Sequence, residues 1–168
     1  ALMSAFSVDI FGTNSGLNYN VLIKLNKVAA IPPTWNNLVV HFVVTENEIP
    51  FNWQGQTEVD YCQRLMVPNE NGTPVDLINN TLIDVPLTFS LNASWVAENC
   101  QLSAFIQNLN TKEILQGDKV WITDLQPVPV ELTSFTAKAD AEGVLLKWTT
   151  ASELNNHGFE VERSLNGI

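Results

Sequence analysis

Hydrophobic and polar residues alternate with a period of two along most of this chain, and stretches of helical periodicity are hard to find. Val, Ile, Phe, Trp and Thr are enriched where the alternation is clearest, as expected for strands that bury one face. The pattern predicts eight strands before the last quarter of the chain, at residues 6–11, 19–28, 37–48, 59–66, 83–91, 100–108, 112–117 and 118–125.

The segments between these strands have the composition of tight turns. "TNSG", "PNENGTP" and "INNT" are rich in Asn, Gly and Pro, which supply the backbone angles that turns need. One helical turn is predicted within residues 91–100, where Asn92 or Ser94 can act as the cap. Many short strands with regular turns predict an all-β protein, an immunoglobulin-like or jelly-roll antiparallel β-sandwich.

A proline-rich stretch divides the pattern near residue 127. In "LQPVPVELTSF", Pro127 and Pro129 stiffen the backbone, and the alternation restarts directly after them. Three more strands are predicted there, around "ELTSFTA", "GVLLKWTTA" and "GFEVERS". The sequence therefore predicts a β-sandwich domain over residues 1–126, then a linker and three strands over 127–168.

The charge balance limits the classes of partner. Asp and Glu number 18 against 8 Lys and Arg, giving a net charge of -10, and the cations are scattered singly. Nucleic acid and anionic membrane surfaces attract clustered cations, so neither is an expected partner. No run approaches the roughly 20 apolar residues of a spanning helix, so membrane insertion is not expected. The start lacks Met and a signal-peptide pattern, which indicates a processed or excised piece.

The two cysteines, Cys62 and Cys100, leave two alternatives open. A disulfide between them would contribute roughly 4 kcal/mol to stability in the chain-entropy model. Two buried free thiols fit the sequence equally well. Two cysteines without a CxxC spacing do not form a zinc site, and no cofactor is expected.

Several polar side chains have the right chemistry for a site but the wrong arrangement. Glu46 with Glu48, and Glu58 with Asp60, are spaced to share a strand face, whereas glycoside hydrolysis needs two carboxylates facing across a cleft. An exposed acidic edge is the preferred interpretation of these four residues. His41 is a lone histidine in a strand and is interpreted as structural. No catalytic residue is therefore predicted. No dedicated metal site is predicted either, because the acidic loops lack a calcium-binding pattern.

Two of the five tryptophans are candidates for ligand binding. Trp35, beside two prolines, and Trp53, in "PFNWQGQ", are expected in loops, where an exposed ring can stack on a sugar or anchor a partner. Trp121 and Trp148 lie in predicted strands and are expected in the core.

Three stretches together resemble a known family: "LVVHFVVTENEIPFNWQG", "QRLMVPNENGTPV" and "NCQLSAFIQNLNTKEILQG". In that order they resemble the C-terminal β-domain of the Bacteroidetes outer-membrane-protein-related family named after a 28-kilodalton surface antigen. The resemblance covers about residues 6–125. It implies a cell-envelope or secreted location, an adjacent thioredoxin-like domain in the full-length protein, and no catalytic residues.

The tail has a resemblance of its own. "PVPVELTSFTAKADAEGVLLKWTTASELNNHGFEVERSLNG" is similar to the opening of the fibronectin type III-like modules that precede the sorting signal of type-nine-secreted proteins. The resemblance implies that residues 127–168 are the first three strands of a truncated module. Three strands without the rest of a sandwich have an unpaired edge and an uncovered apolar face. We therefore expect these strands to pack on a neighbouring domain or to form a homo-oligomer.

These observations favour a non-enzymatic function. The expected protein is a structural or ligand-binding module of a secreted or surface-displayed multidomain bacterial protein, with the other domains of that protein as partners. The alternative is a carbohydrate-binding accessory module of a secreted hydrolase that uses Trp35 or Trp53.

Overall fold

The structure, a computed structural model, describes residues 4–129, 132–140, 143–151 and 158–161. The chain divides into two compact units, residues 1–126 and 127–168. The first unit contains ten strands: β1 (Phe6–Ser15), β2 (Asn18–Lys27), β3 (Leu38–Glu46), β4 (Ile49–Trp53), β5 (Gln56–Val59), β6 (Cys62–Val67), β7 (Thr73–Val75), β8 (Leu82–Ser90), β9 (Cys100–Asn108) and β10 (Ile114–Trp121). The second contains β11 (Leu132–Asp140) and β12 (Gly143–Thr150).

Two antiparallel sheets form the sandwich of the first unit, and β4 and β5 form a separate two-stranded sheet. One has the order β1-β2-β8, and the other has the order β10-β9-β3-β6, with β7 also paired to β3. The strand β3 is central in the second sheet, since it pairs with β9 along its whole length and with β6 and β7 on its other side. The predicted antiparallel β-sandwich is confirmed.

The core lies between the two sheets and follows the period of two. On β3 the even-numbered apolar residues Leu38, Val40, Phe42 and Val44 belong to the core cluster, because alternate side chains of a strand point to the same face. The ring of Phe42 lies 5.6 Å from that of Phe89 on β8, so aromatic packing joins the two sheets directly.

Some predicted elements differ from the observed ones at their ends. The strand predicted at 37–48 ends at Glu46, and the separate two-stranded sheet of β4 and β5 follows it. The strands predicted at 112–117 and 118–125 are one strand, β10, followed by a short 3-10 helix, Ile122–Asp124. The helical turn predicted within 91–100 is a 3-10 helix, Ala97–Asn99, and no side chain caps it.

The tail contains a two-stranded antiparallel sheet in which β11 pairs with β12. Of the third predicted strand, residues 158–161 are described and do not form a strand, and the rest lies outside the described residues. The prediction that Trp121 and Trp148 are core residues is wrong, since they are 40% and 37% exposed. Trp121 ends an edge strand and Trp148 belongs to a two-stranded sheet, so neither is enclosed between two layers.

Candidate functional site

Four of the carboxylates and one of the tryptophans selected from the sequence lie at one end of the sandwich. Here β3 ends at Glu46, and the register places Glu46 opposite Cys62 of β6 and opposite Cys100 of β9. The β4–β5 hairpin continues directly from this point. We call residues 46–64, together with 95–100, the hairpin end.

Glu46 is the centre of a buried polar network at the hairpin end. The residue is 3% exposed, and its Oε2 accepts a 2.7 Å hydrogen bond from Nε of Arg64. Its Oε1 accepts a 2.8 Å hydrogen bond from the backbone N–H of Val96. The guanidinium of Arg64 also lies over the ring of Trp95, with Cζ 5.8 Å from the ring centroid. Both carboxylate oxygens are thus engaged, as a buried charge requires.

Asn47 fixes the base of the hairpin from the other side. It is 6% exposed, and its Oδ1 accepts a hydrogen bond from the backbone N–H of Tyr61 at 2.9 Å. Its side-chain Nδ2 and its backbone N–H both donate to the carbonyl of Asn99, at 3.3 and 2.9 Å. The hairpin is therefore tied both to the start of β6 and to the 3-10 helix before β9.

The backbone of this region contains three non-glycine residues in the left-handed conformation. Glu48, Gln54 and Tyr61 have φ values of 55°, 48° and 52°. At Glu48 the conformation is supported by a 2.9 Å hydrogen bond from its N–H to Oδ1 of Asp60. Because a left-handed residue costs free energy, the network that holds it must offset that cost.

The hairpin end presents aromatic side chains to solvent. Phe51 is 46% exposed, Trp53 is 58% exposed and Tyr61 is 67% exposed. A two-stranded sheet of this length is marginally stable alone, so its shape depends on the anchoring at its base. Exposed rings on an anchored support can stack on an apolar or planar ligand surface.

The two predicted ligand-binding tryptophans are not brought together. Trp35 is partly buried and packs on the core, with its ring centroid 5.9 Å from that of Phe6. It precedes the start of β3, whereas Trp53 follows its end, and a nine-residue strand is roughly 26 Å long. Of these two candidates, Trp53 is the one that is exposed.

The carboxylates do not form a facing pair. The expectation that Glu46 lies on an exposed acidic edge is wrong, because the alternation of β3 turns it to the core side. Glu48, Glu58 and Asp60 are exposed, as expected. The left-handed Glu48 ends the alternation, so Glu46 and Glu48 do not share a strand face.

The structure shows both cysteines as free thiols, the second of the two alternatives left open by the sequence. Cys62 and Cys100 pair with Glu46 from opposite sides, so two inter-strand spacings, roughly 9–10 Å, separate their Cα atoms. A disulfide needs Cα atoms within about 7 Å. Burial, with a further contribution from the Glu46 carboxylate, raises the pKa of the Cys100 thiol to about 11.

Metal-ligating side chains do not cluster in the part of the chain that the structure describes. No group of three or more His, Cys, Asp or Glu residues is close enough there to hold a metal ion. No helix among those residues is long and apolar enough to cross a membrane. His41 is 6% exposed on β3, and His157 lies outside the described residues.

The tail contains a cavity of about 250 Å³ within the second unit. Its lining is mostly apolar, and the rings of Trp148 and Phe159 lie 5.4 Å apart within it. The lining residues are Leu132, Phe135, Trp148, Phe159, Glu160 and Val161.

Three residues of the network were not selected from the sequence: Arg64, Asn47 and Trp95. Nothing in their local sequence distinguishes them from surface residues, since each contacts partners that are distant along the chain. One signal was available for Arg64, as the chain has only eight cations and this one lies in a predicted strand.

Fold and site together define an all-β sandwich module with a closed polar network and an exposed aromatic hairpin. Two solved structures share this fold. HBP35 of Porphyromonas gingivalis superposes with a TM-score of 0.59 and 13% identity, covering 86% of this chain and 50% of that chain. A domain of the outer membrane lipoprotein Omp28 from Porphyromonas gingivalis superposes with a TM-score of 0.53 and 17% identity, covering 74% of this chain and 91% of that one.

At these identities the likeness shows the fold alone. The chain spans about half the length of HBP35, so it is comparable to part of that protein. No protein-family model matches the chain, and no curated protein matches it.

Proposed function

We propose that the chain is a non-enzymatic structural or ligand-binding module of a secreted or surface-displayed multidomain bacterial protein. The observation that carries the proposal is the shared fold with a domain of an outer membrane lipoprotein, of which 91% is covered. The other neighbour supports a multidomain setting, because this chain matches only half of it. The partners proposed are the other domains of the same full-length protein.

The chemistry of the hairpin end supports a binding or structural function more than a catalytic one. Glu46 is buried and paired with Arg64, and each of its oxygens accepts a hydrogen bond within the fold, an arrangement that does not favour proton transfer to a substrate. Asp60 holds the backbone of Glu48. These carboxylates stabilise the hairpin, which in turn presents its aromatic rings.

The location is tested in cells of the bacterium that produces the protein. The full-length protein is tagged, the cells are fractionated, and intact cells are treated with protease. We expect the protein in the envelope or the medium, with its surface-displayed form cleaved on intact cells. Recovery in the cytosolic fraction, protected from the protease, would refute the proposal.

A second candidate is a carbohydrate-binding module, favoured by the 58% exposure of Trp53 on the anchored hairpin. Stacking of a sugar ring on an exposed indole changes the fluorescence of that indole. Titration with polysaccharides should therefore shift the tryptophan emission, and Trp53→Ala should remove the shift. Trp121→Ala is the matched control, since Trp121 is also 40% exposed but lies on β10. Equal losses in both variants, or no binding on a glycan array, would remove this candidate.

A further inference from the structure

His41 is a buried side chain with one unpaired ring nitrogen. The residue is 6% exposed, and its ring lies 5.1 Å from that of Phe105 on β9, tilted by 30°. Its Nε2 lies 3.2 Å from Oε1 of Gln107. Its Nδ1 is shielded from solvent and finds no hydrogen-bond partner among the residues described. A buried polar atom without a partner is uncommon and calls for an explanation.

The hydrogen bonds of Gln107 determine where the proton of the neutral ring lies. The side-chain Nε2 of Gln107 donates to the carbonyl of Lys112 at 3.0 Å, which turns its Oε1 towards His41. An amide oxygen only accepts, so Nε2 of His41 must be the donor. The neutral ring therefore has its hydrogen on Nε2 and a bare Nδ1.

The turn at residues 68–72 closes over the bare nitrogen. Gly72 has φ +70°, and its N–H donates to the carbonyl of Asn69 at 3.2 Å. A Cβ atom on Gly72 would lie 3.0 Å from Nδ1 of His41 and 2.7 Å from the carbonyl oxygen of Val40. The turn backbone is thus pressed against the ring, and only glycine fits there.

The charged groups near this contact do not pair with the ring. Glu70 in the turn and Lys112 after β9 are exposed, and Arg64 on β6 is paired with Glu46. The neighbours that pack on the ring are uncharged: Phe105, Gln107 and Gly72. A proton gained at Nδ1 would therefore add a buried positive charge and a donor with no acceptor.

We propose that His41 and the 68–72 turn form a pH-sensitive latch, closed when the imidazole is neutral and opened by its protonation. Histidine is the side chain that ordinarily gains a proton between pH 8 and 5. A hydrogen on Nδ1 has no acceptor while the turn is closed, whereas water can accept its hydrogen bond once the turn opens, so opening increases as the pH falls.

Opening of the latch affects β7 most directly. This strand has three residues and follows the turn immediately, and it pairs with β3 at Leu38–Val40. Release of β7 uncovers the main-chain groups of β3 along those three residues. An uncovered strand edge is able to pair with a strand from another chain.

The latch is tested by amide hydrogen exchange at pH 7.5 and 5.5, corrected for intrinsic exchange rates. We expect the protection of the Gly72, Thr73 and Val75 amides to fall by about tenfold at pH 5.5, while β1 and β2 remain protected. A tenfold change is of the order expected when one buried donor has no acceptor. In His41→Phe, which keeps a ring against Phe105 but does not titrate, protection should be equal at both pH values. His157→Phe, which changes the other histidine of the chain, should behave like the unmodified protein.

A second measurement requires no variant. Nitrogen-15 NMR of the unmodified protein should show the tautomer with hydrogen on Nε2 of His41 at pH 7.5. The proposal is overturned if the hydrogen is on Nδ1, if the turn keeps its protection at pH 5.5, or if His41→Phe loses protection as the unmodified protein does.

Discussion

At the scale of single residues, the hairpin end depends on how the Glu46 charge is neutralised. Burying a carboxylate costs several kcal/mol of hydration, and here the Arg64 guanidinium and one backbone N–H offset that cost. The Arg64 side chain is itself only 31% exposed. The carboxylate distinguishes this pair from the surface pair of Lys24 and Asp84, which are 3.7 Å apart: the Glu46 side chain is 5% exposed and that of Asp84 is 56% exposed, while the two cations are equally exposed.

Removing the cation of the buried pair should destabilise the protein markedly. Arg64→Met keeps most of the side-chain volume but leaves the Glu46 carboxylate uncompensated, and we expect a loss of about 2 kcal/mol in the free energy of unfolding. Lys24→Met makes the same chemical change in the exposed pair and should cost under about 1 kcal/mol. Urea denaturation at pH 7 measures both. Equal costs for the two variants would show that Glu46 does not depend on Arg64.

The two thiols should differ in reactivity. Because the thiolate is the reactive form and Cys100 is buried with a pKa of about 11, iodoacetamide at pH 8 should label Cys62 first. Peptide mass spectrometry measures the order. Labelling of Cys100 in the folded protein at the rate of Cys62 would contradict the prediction.

The raised pKa of Cys100 also has a consequence for alkaline stability. The thiol loses its proton more readily in the unfolded chain, whose pKa is near 9.0, than in the folded protein, so stability falls as the pH rises from 9 to 11. The loss from this group is about 3 kcal/mol. Tyr19, whose pKa is raised by burial, acts in the same direction. Cys100→Ala should flatten the pH dependence measured by urea denaturation, and an unchanged slope would refute the assignment.

At the scale of elements, two short connections determine what lies at each end of the central strand β3. The β4–β5 hairpin extends from one end of β3, and the 68–72 turn brings β7 back to its other end. Each connection contains at least one residue with positive φ; the Asn47 side chain binds the base of the hairpin, and the His41 side chain of β3 lies against the turn. Their conformation is therefore a property of the packed sheet.

A methyl group at Gly72 should destabilise the protein far more than a methyl group at Gly16, a glycine with a similar φ in an open turn. Gly72→Ala introduces a Cβ 2.7 Å from the carbonyl oxygen of Val40 in addition to the cost of φ +70°, and we expect a loss above about 2 kcal/mol. Gly16→Ala, with φ +60° and no atom within 4 Å, should cost about 1 kcal/mol. Thermal or urea unfolding compares the two, and a smaller loss at Gly72 would contradict the crowding.

At the scale of the whole molecule, the two units differ in how they bury apolar surface. The first unit encloses a core between two sheets. In the second, Leu132, Phe135 and Val161 are 55%, 60% and 62% exposed, although they line the same cavity. A two-stranded sheet with an exposed apolar face is marginal in water unless another surface covers it.

We expect the second unit to mediate association between copies of the chain. Light scattering should show a mass that rises with protein concentration, and Phe135→Ser should shift the protein towards the monomer. Leu82→Ser is the control, because Leu82 is 70% exposed on the first unit. A monomer at all concentrations, with a tail cleaved readily after Pro129, would refute the prediction.

The period of two was sufficient to predict the class of fold, because alternate burial is a local consequence of strand geometry and appears directly in the residue order. It predicted β1, β2, β3, β8 and β9 to within a few residues. It did not predict β4, where no strand was expected, β5, of which only Val59 lies in a predicted strand, or β7, which has three residues. Strands this short contain too little pattern to be recognised alone.

The sequence alone determined that this is an antiparallel β protein rich in acidic residues, and it made Trp53 in "PFNWQGQ" one of two candidates for an exposed ring. Tertiary structure alone decided which polar residues are buried. Glu46 and His41 lie on opposite faces of β3 and are both buried, Glu46 in an ion pair and His41 beneath a turn. Their partners Arg64, Gln107 and Gly72 lie 18 to 66 residues away in the chain, and only the register of the sheet brings them together. Burial of a polar group depends on such distant partners, so the order of residues does not show it.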